Sequence, residues 1–175
     1  GVFGGIGSGI KDSTTSVFLE SAYFNPASVR KTSKHHGLKT DASFRFERGT
    51  DPEMTIYALK RAALLIREIA GGKISSDIVD IYPVPVKPHE INLNLDYLDR
   101  FSGDSLDKSR VKNILTALGL EIISENEKEL LLRVPTFKVD VTRPVDVVEE
   151  ILRVYGYNNI PIPSKLNMSL PAIVD

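Results

Sequence analysis

Apolar residues follow one another along residues 15–24 (TSVFLESAYF) without the alternation of a half-buried strand. Most of them are β-branched or aromatic, so the pattern predicts a strand that is buried on both faces. Residues 73–83 (KISSDIVDIYP) indicate one more strand, which ends at Pro83. A single charge, Glu20, interrupts the first of these two strands.

Two helices are predicted between these strands. Residues 25–37 begin with Asn-Pro and end with Gly, which suit the cap, first position and end of a helix. Residues 51–70 begin with Asp-Pro and are followed by Gly-Gly, and their apolar positions recur at spacings of three and four. This predicted stripe consists of Ile56, Leu59, Ala63, Ile66 and Ala70. The intervening segment, HHGLKTDASFRFERGTDP (35–52), predicts a loop anchored by Phe44 and Phe46.

The Pro-rich segment PVPVKP (83–88) predicts a semi-rigid linker, with a domain boundary near Val86. The residues that follow it have a different and more regular pattern. EINLNL (90–95) alternates and predicts a half-buried strand, and DKSRVKNILTALG (107–119) predicts an amphipathic helix.

The remainder of the second half completes a small domain. LEIIS and ELLLRV flank ENEK, which is typical of a β-hairpin. A last helix is predicted from Pro144 to about Tyr155. A helix, a hairpin and a helix in sequence predict a winged-helix-like α+β domain.

The composition excludes several classes of protein. With 42% hydrophobic residues, 26% charged residues and a net charge of −1, the 175-residue chain has no global signal for nucleic-acid binding. It has no Cys, so neither a disulfide framework nor a cysteine-ligated zinc site is available. No apolar run has the length of a membrane span. The chain opens on GVFGG without an initiator Met, and we interpret it as an excised fragment.

Glu20 is the first candidate functional residue. A carboxylate inside an apolar strand is costly to ionise unless it is paired or solvated. One hypothesis is a structural ion pair with Arg45 or Arg48. The other is an acceptor, in a pocket lined with aromatic side chains, for a hydroxyl or an ammonium group.

Four carboxylates form the second candidate site: Asp140, Asp146, Glu149 and Glu150. The last three lie on one side of the final helix, where like charges repel unless the helix dipole or a partner such as Arg153 offsets them. They form either a solvated acidic face or a site for a hard cation. Oxygen ligands suit magnesium or calcium, and the absence of a calcium-loop motif favours magnesium.

One local run of basic residues stands out, and it comprises Arg30, Lys31, Lys34, His35, His36, Lys39, Arg45 and Arg48. It is either a solvated helix face or a surface for phosphates. The adjacent histidines point about 100° apart on a helix and do not suggest a metal site. A nucleic-acid-binding module without catalytic role is therefore an alternative, but the acidic last helix would repel a phosphate backbone.

Five segments together resemble the bacterial type of phenylalanine–tRNA ligase β subunit. They are GVFGG, FLESAYFNPASVRKT, HGLKTDASFRFERGTDP, LKRAALLIREIAGG and VPTFKVDVTRPVDVVEEILRVYGY. The resemblance implies that residues 1–85 are the C-terminal half of an α/β tRNA-editing domain. Residues 86–163 would be a winged-helix-like magnesium-binding domain, and residues 164–175 a linker to the next domain.

The resemblance also implies an editing pocket that removes tyrosine wrongly attached to phenylalanine tRNA. Glu20 would accept the tyrosine hydroxyl, and Thr40 would orient the ester and a water molecule. Ala42 would limit the size of the pocket, while Gly1 and Gly4 would let the backbone approach the substrate. The family uses no covalent nucleophile, so a positioned water is expected to carry out the hydrolysis.

The remaining expectations come from the same resemblance. Mg²⁺ would be bound by Asp140, Asp146, Glu149 and Glu150. ATP would be used by the full enzyme and not bound by this chain. The partners would be phenylalanine tRNA and the ligase α subunit, in an α2β2 tetramer in the cytoplasm, with no membrane association. The chain by itself would be inactive, and a role in subunit contact alone is a further alternative.

Overall fold

Residues 1–162 are described by a computed structural model, in which the chain forms two units. The first unit comprises Gly1–Pro88 together with Thr136–Asp140. The second comprises His89–Pro135 and, among the described residues, 141–162. The predicted linker at residues 164–175 lies outside the described residues.

Helices account for the regular structure of the first unit. These are α1 (Pro26–His36), α2 (Asp41–Phe46) and α3 (Thr55–Ala70), with short 3-10 helices at Ile6–Ser8 and Pro52–Met54. The predicted cap of α1 is confirmed, because the Asn25 side chain accepts a hydrogen bond from the Ser28 backbone N–H at 3.0 Å. Its predicted end is confirmed as well, since Gly37 has a φ of 66°.

The two strands predicted in the first unit are wrong. Residues 15–24 and 73–83 form no strand, and Phe18, at 96% exposure, is far from buried. A strand buried on both faces needs neighbouring strands and a covering layer on each side. The described residues of this unit supply neither, so apolar sequence alone does not produce a sheet here.

Part of the predicted loop is helical. Residues 41–46 form α2, and the Phe46 ring meets Phe24 edge-on at 4.9 Å between centroids, while Phe44 is exposed. Phe46 therefore anchors the segment as predicted, whereas Phe44 does not. Helix α3 also differs from expectation, because none of its residues is buried and Ile66, in the predicted inward stripe, is exposed.

A short segment from the second half of the chain, Thr136–Asp140, belongs to the first unit. The Thr136 hydroxyl donates a hydrogen bond to the Asp51 carboxylate at 2.7 Å, and Asp51 also accepts from the Glu53 backbone N–H at 3.1 Å. Gly49 has a φ of 88°, and a Cβ there would lie 3.0 Å from Val139 Cγ1. The turn before α3 is thus fitted to a glycine on both conformational and steric grounds.

The second unit contains a three-stranded antiparallel sheet of β1 (His89–Asn94), β2 (Glu121–Glu125) and β3 (Glu129–Val134). Strand β3 lies in the centre, in the order β1-β3-β2. Ile91 pairs with Leu132 across β1 and β3, and a bulge interrupts β2 between Ile122 and Ser124. The predicted strand and hairpin are confirmed.

Three helices pack with this sheet: α4 (Leu95–Ser102), α5 (Lys108–Ala117) and α6 (Pro144–Tyr155). The sequence pattern predicts α5 and α6 but not α4. The core of the unit is built from Ile91, Leu93, Leu98, Leu106, Val111, Ile114, Leu115, Leu120, Leu130, Leu132, Val134, Val141, Val147, Val148, Ile151 and Leu152. Helices and a small antiparallel sheet confirm the predicted α+β class and the winged-helix-like order of elements.

The central position of β3 leads to a prediction about stability. Leu132 is 0% exposed, so Leu132→Ala should lower the free energy of unfolding of the second unit by about 2–5 kcal/mol, through lost burial and a cavity. Denaturant titration followed by circular dichroism measures this change. Ile123→Ala is the matched control on β2, where the side chain is 37% exposed, and should cost less than about 1.5 kcal/mol. Equal losses for the two variants would contradict the assignment of the core.

Candidate functional site

Thr40 is the N-cap of α2. Its hydroxyl accepts a hydrogen bond from the Ser43 backbone N–H at 3.1 Å, and its own backbone N–H donates to the Ser43 hydroxyl at 2.9 Å. The two residues therefore form a reciprocal capping box, in which each side chain satisfies a backbone donor of the other. This local chemistry explains why a helix of only 6 residues begins at Asp41.

The Thr40 hydroxyl also contacts the glycine-rich segment at the start of the chain. It donates a hydrogen bond to the Val2 carbonyl at 2.7 Å, across 38 residues of sequence. A hydroxyl has one proton to donate and two lone pairs with which to accept. With its proton on Val2 and one lone pair on Ser43, Thr40 has one acceptor position left for a ligand or a water molecule.

Two buried serines support this arrangement. Ser33 in α1 and Ser43 in α2 are 3% and 1% exposed, and their hydroxyl oxygens lie 3.5 Å apart. Ser33 donates to the Leu38 carbonyl at 2.5 Å, and Ser43 donates to the Thr40 carbonyl at 3.0 Å. Neither serine is among the predicted site residues, although the three-residue spacing of Thr40 and Ser43 is the signal of a capping box.

Glu20 is exposed rather than buried, so the predicted buried carboxylate is wrong for this structure. The hypothesis of an ion pair with Arg45 or Arg48 finds no support within residues 1–162, where Arg48 pairs with Glu47 at 3.1 Å. Glu20 lies near enough to the Gly1 nitrogen for an electrostatic interaction between the two residues.

The other residues predicted for the pocket are small and open to solvent. Ala42 lies exposed in the first turn of α2, next to the Thr40 cap. A Cβ added to Gly1 or Gly4 would meet no atom within 4 Å. The hydrogen bond from Thr40 to Val2 brings the segment that contains both glycines beside the start of α2.

The carboxylates of the second predicted site are largely engaged with protein groups. Asp146 accepts from the backbone N–H groups of Thr142 at 3.1 Å and Arg143 at 2.8 Å, and from the Arg143 guanidinium at 2.8 Å. The Arg143 hydrogen bond is the main cause that lowers the pKa of Asp146 from 3.8 to about 2. Asp146 thus acts as the capping carboxylate of α6.

The other three carboxylates of the predicted site have separate surroundings. Glu150 pairs with Arg153 at 3.1 Å, Glu149 is exposed on α6, and Asp140 belongs to the other unit. Across residues 1–162, no group of three or more histidine or carboxylate side chains is arranged to hold a metal ion. Within the second unit, Asp146 and Glu150 therefore already have protein partners, and the magnesium site stays a prediction.

The predicted basic run lies on α1, the following turn and α2. His35 and His36 contact each other edge-on at 4.7 Å between ring centroids, at the end of α1. Arg48 stacks over the Phe44 ring, with its guanidinium carbon 3.5 Å from the centroid.

No helix in the described part of the chain is both long and apolar enough to cross a membrane.

Comparisons with known proteins match both units. A family model of the B3/4 domain matches residues 1–71, and a model of the tRNA synthetase B5 domain matches residues 91–157. A solved structure, an N-terminal fragment of the phenylalanyl-tRNA synthetase β-subunit from Pyrococcus horikoshii, shares 28% sequence identity with a TM-score of 0.39. That match covers 44% of this chain and 22% of the other.

Curated relatives give longer matches. The phenylalanine–tRNA ligase β subunit of Bacteroides fragilis is 51% identical over 170 residues, which cover 97% of this chain and 21% of that protein. The β subunit of Porphyromonas gingivalis is 48% identical over 170 residues with the same coverage. That of Syntrophus aciditrophicus is 43% identical over 165 residues, covering 93% and 20%. The chain spans about a fifth of the length of these relatives.

The two domain matches define the class of the chain as a component of an aminoacyl-tRNA synthetase, built from a B3/4 and a B5 domain. The similarity to the curated relatives then makes the assignment specific. The chain belongs to the phenylalanine–tRNA ligase β-subunit family, as the sequence motifs indicated.

The environment of Asp146 generates a testable prediction. Asp146→Asn should lower the free energy of unfolding of the second unit by about 1 kcal/mol near pH 7, since Arg143 is exposed and solvent screens the pair. Denaturant titration measures this difference. Because the folded pKa lies below 3.8, the contribution is present at neutral pH and is lost as the pH falls toward about 2.

Two comparisons control this experiment. The difference between the parent chain and Asp146→Asn should be smaller at about pH 3 than near pH 7. Glu127→Gln, in the exposed turn between β2 and β3, should have little effect at either pH. An Asp146→Asn difference that did not change with pH would contradict the role of the ionised carboxylate.

Proposed function

We propose that this chain contributes one wall of a proofreading site in a phenylalanine–tRNA ligase β subunit. The site hydrolyses tyrosine wrongly attached to phenylalanine tRNA. The full enzyme joins this subunit to an α subunit, as an α2β2 tetramer in the cytoplasm, and uses ATP that this chain does not bind. The chain alone is inactive in this proposal, because the wall that it supplies is incomplete.

The observation that carries the proposal is the hydrogen bond between the Thr40 hydroxyl and the Val2 carbonyl at 2.7 Å. It joins the GVFGG segment to the KTDAS segment, although the two are far apart in sequence. The segment that contains Gly1 and Gly4 is therefore held beside Thr40 and Ala42 by this one contact.

Tyrosine differs from phenylalanine by one hydroxyl, which a hydrophobic site cannot reject strongly. A second site that binds the hydroxyl supplies the missing discrimination. The Glu20 carboxylate accepts a hydrogen bond from this hydroxyl. Phenylalanine leaves the carboxylate without that partner once the pocket is closed, at a cost of about 1–3 kcal/mol. The exposed position of Glu20 in this chain leaves its carboxylate free to meet a substrate.

The hydrogen bonds of Thr40 restrict its part in the chemistry. Its proton is held by Val2, so the hydroxyl does not donate to the carbonyl of the ester. Its free lone pair accepts from the attacking water or from the substrate ammonium group, which orients that group beside the ester. Ala42 limits the size of the pocket at the start of α2, and Gly4 leaves space for the substrate backbone.

Magnesium binding at Asp140, Asp146, Glu149 and Glu150 is a separate part of the proposal, supported by ligand type and sequence spacing. Hard oxygen ligands are those that Mg²⁺ takes in proteins. Binding requires Asp146 to exchange its Arg143 contact for the cation.

The proofreading proposal is tested in the full-length β subunit assembled with its α subunit. Glu20→Ala should slow the hydrolysis of tyrosine-charged phenylalanine tRNA by about tenfold or more, because the hydroxyl of the substrate loses its acceptor. Release of radiolabelled tyrosine from the preformed charged tRNA measures the rate. Glu53→Ala, which removes another exposed carboxylate of the same unit, is the matched control and should leave the rate unchanged.

Substitutions at Thr40 provide a second arm of this experiment. Thr40→Ser keeps the hydroxyl and should retain hydrolysis. Thr40→Val keeps the shape of the side chain but loses the hydrogen bonds of the hydroxyl to Val2 and Ser43, so it should slow hydrolysis. Circular dichroism controls for unfolding. Unchanged clearance of tyrosine by Glu20→Ala would favour a purely structural role in subunit contact over proofreading.

Magnesium binding is tested without reference to activity. Glu149→Gln should reduce the number of divalent ions bound by the assembled enzyme, measured by calorimetry with Mg²⁺ or by the paramagnetic spectrum of bound Mn²⁺. Glu149 is the informative position because, unlike Asp146, it does not cap α6. Glu127→Gln is the control, and identical ion stoichiometry for both variants would refute the predicted site.

A further inference from the structure

The exposed side of α1 is basic and carries no acidic residue. Val29 and Ser33 are buried, and they mark the side of the helix that packs inward. At about 100° per residue, Arg30, Lys31 and Lys34 project from the other side, and all three are exposed. Every charged residue of α1 thus faces away from the buried side.

Two more cations extend this surface beyond α1. Lys39 directly precedes the Thr40 cap, and Arg45 lies in α2; both are exposed. We call the five residues the α1–α2 basic surface: Arg30, Lys31, Lys34, Lys39 and Arg45. The only carboxylate between residues 26 and 46 is Asp41, so positive charge is concentrated here in a chain whose net charge is −1.

None of these five cations forms an ion pair within residues 1–162. Elsewhere in that range basic residues do find carboxylates, as Lys112 does with Glu125 at 2.7 Å and Arg133 with Glu121 at 2.9 Å. Like charges so close together repel one another, which weakly disfavours the helix. An anionic ligand would relieve that repulsion without displacing any protein carboxylate.

The basic surface and Thr40 belong to the same pair of helices. Ser33 in α1 and Ser43 in α2 connect the helices through their hydroxyl groups, and Ser43 is the reciprocal partner of Thr40 in the capping box. A substrate ester at Thr40 would therefore lie beside this surface. The ester of a charged tRNA is carried on the terminal nucleotide, so the phosphates of the preceding nucleotides must come close as well.

The chemistry of the surface favours RNA over an acidic peptide. Beside the cations, the Phe44 ring is 57% exposed and is stacked by Arg48, with the guanidinium carbon 3.5 Å from the ring centroid. Aromatic rings and guanidinium planes stack on unpaired bases, while lysine and arginine contact phosphates. A single-stranded RNA end presents both groups together.

We infer that the α1–α2 basic surface binds the sugar–phosphate backbone at the single-stranded end of the charged tRNA and holds its ester near Thr40. This inference rests on the proposed proofreading function and identifies how its substrate is held. The surface contributes to binding of the RNA and takes no part in the hydrolytic step.

The experiment uses the full-length β subunit assembled with its α subunit and preformed tyrosine-charged tRNA. The triple variant Arg30→Gln, Lys31→Gln, Lys34→Gln should raise KM about tenfold at moderate salt and leave kcat unchanged, since uniform binding is lost. The slope of log KM against log salt concentration should decrease in magnitude by about 2, at roughly 0.7 per phosphate contact of a single strand.

A matched control removes the same number of charges from another helix. Lys60→Gln, Arg61→Gln, Arg67→Gln in α3 changes three exposed cations of the same unit and should leave KM and its salt dependence unchanged. An equal effect of both triple variants would show that KM depends on the overall charge of the protein and not on this surface in particular. The inference would be overturned by that equal effect. It would also be overturned if the α1 triple variant left KM unchanged, or if it lowered kcat instead of raising KM.

Failure of the proofreading proposal gives a different result. If Glu20→Ala left tyrosine clearance unchanged, proofreading by this pocket would fail, whatever the basic surface does. If Glu20→Ala slowed clearance while the α1 triple variant bound and cleared the charged tRNA like the parent enzyme, proofreading would stand and this inference would be wrong. Filter binding of the tyrosine-charged tRNA to a Glu20→Ala background measures binding in the absence of rapid hydrolysis.

Discussion

The hydroxyl of Thr40 makes the interaction on which the candidate site depends. It accepts from the Ser43 backbone to begin α2 and donates to the Val2 carbonyl, so one oxygen joins a helix start to a distant glycine-rich segment. A cap and a tertiary contact made by the same atom are coupled, because moving α2 disturbs both. The buried hydroxyl groups of Ser33 and Ser43 hold that helix start in place. The chemistry available at Thr40 is consequently that of a hydrogen-bond acceptor.

The second unit could be predicted from sequence because its patterns are local and its core is complete. The residues that carry these patterns pack against one another within the same unit. They include Ile91 in its alternating strand, and Val111 and Ile114 in their helix. Helix α4 was missed, although Asn94 caps it by accepting from the Tyr97 backbone at 2.9 Å and Gly103 ends it. A helix of 8 residues with a short apolar stripe offers little periodicity, so its capping residues are the better signal.

The first unit was less predictable because many of its apolar residues stay exposed in the described chain. An apolar run such as residues 15–24 indicates burial but not the layer that provides it, and a strand without a neighbour has no hydrogen-bonding partner. The same reasoning applies to α3, whose periodicity correctly predicts a helix but not what covers its apolar side. Amphipathic pattern specifies the secondary structure of a segment more directly than its packing. Since the chain spans about a fifth of its relatives, longer proteins of the family have further residues with which such surfaces can pack.

The candidate site residues illustrate a different limit. Sequence spacing brought Asp146, Glu149 and Glu150 onto one helix, but a carboxylate in the first turn of a helix is also a capping group, and spacing does not distinguish the two uses. In the structure, Asp146 caps α6 and Glu150 pairs with Arg153. Both carboxylates therefore have partners of their own without a metal ion. A magnesium ion at these positions would have to compete with an arginine, whose hydrogen bonds to Asp146 lower the pKa of that carboxyl. Magnesium gives up bound water when it enters a protein site, and only several oxygen ligands together compensate for that loss. Whether the ion displaces the arginine therefore depends on how many carboxylates can converge on it at once.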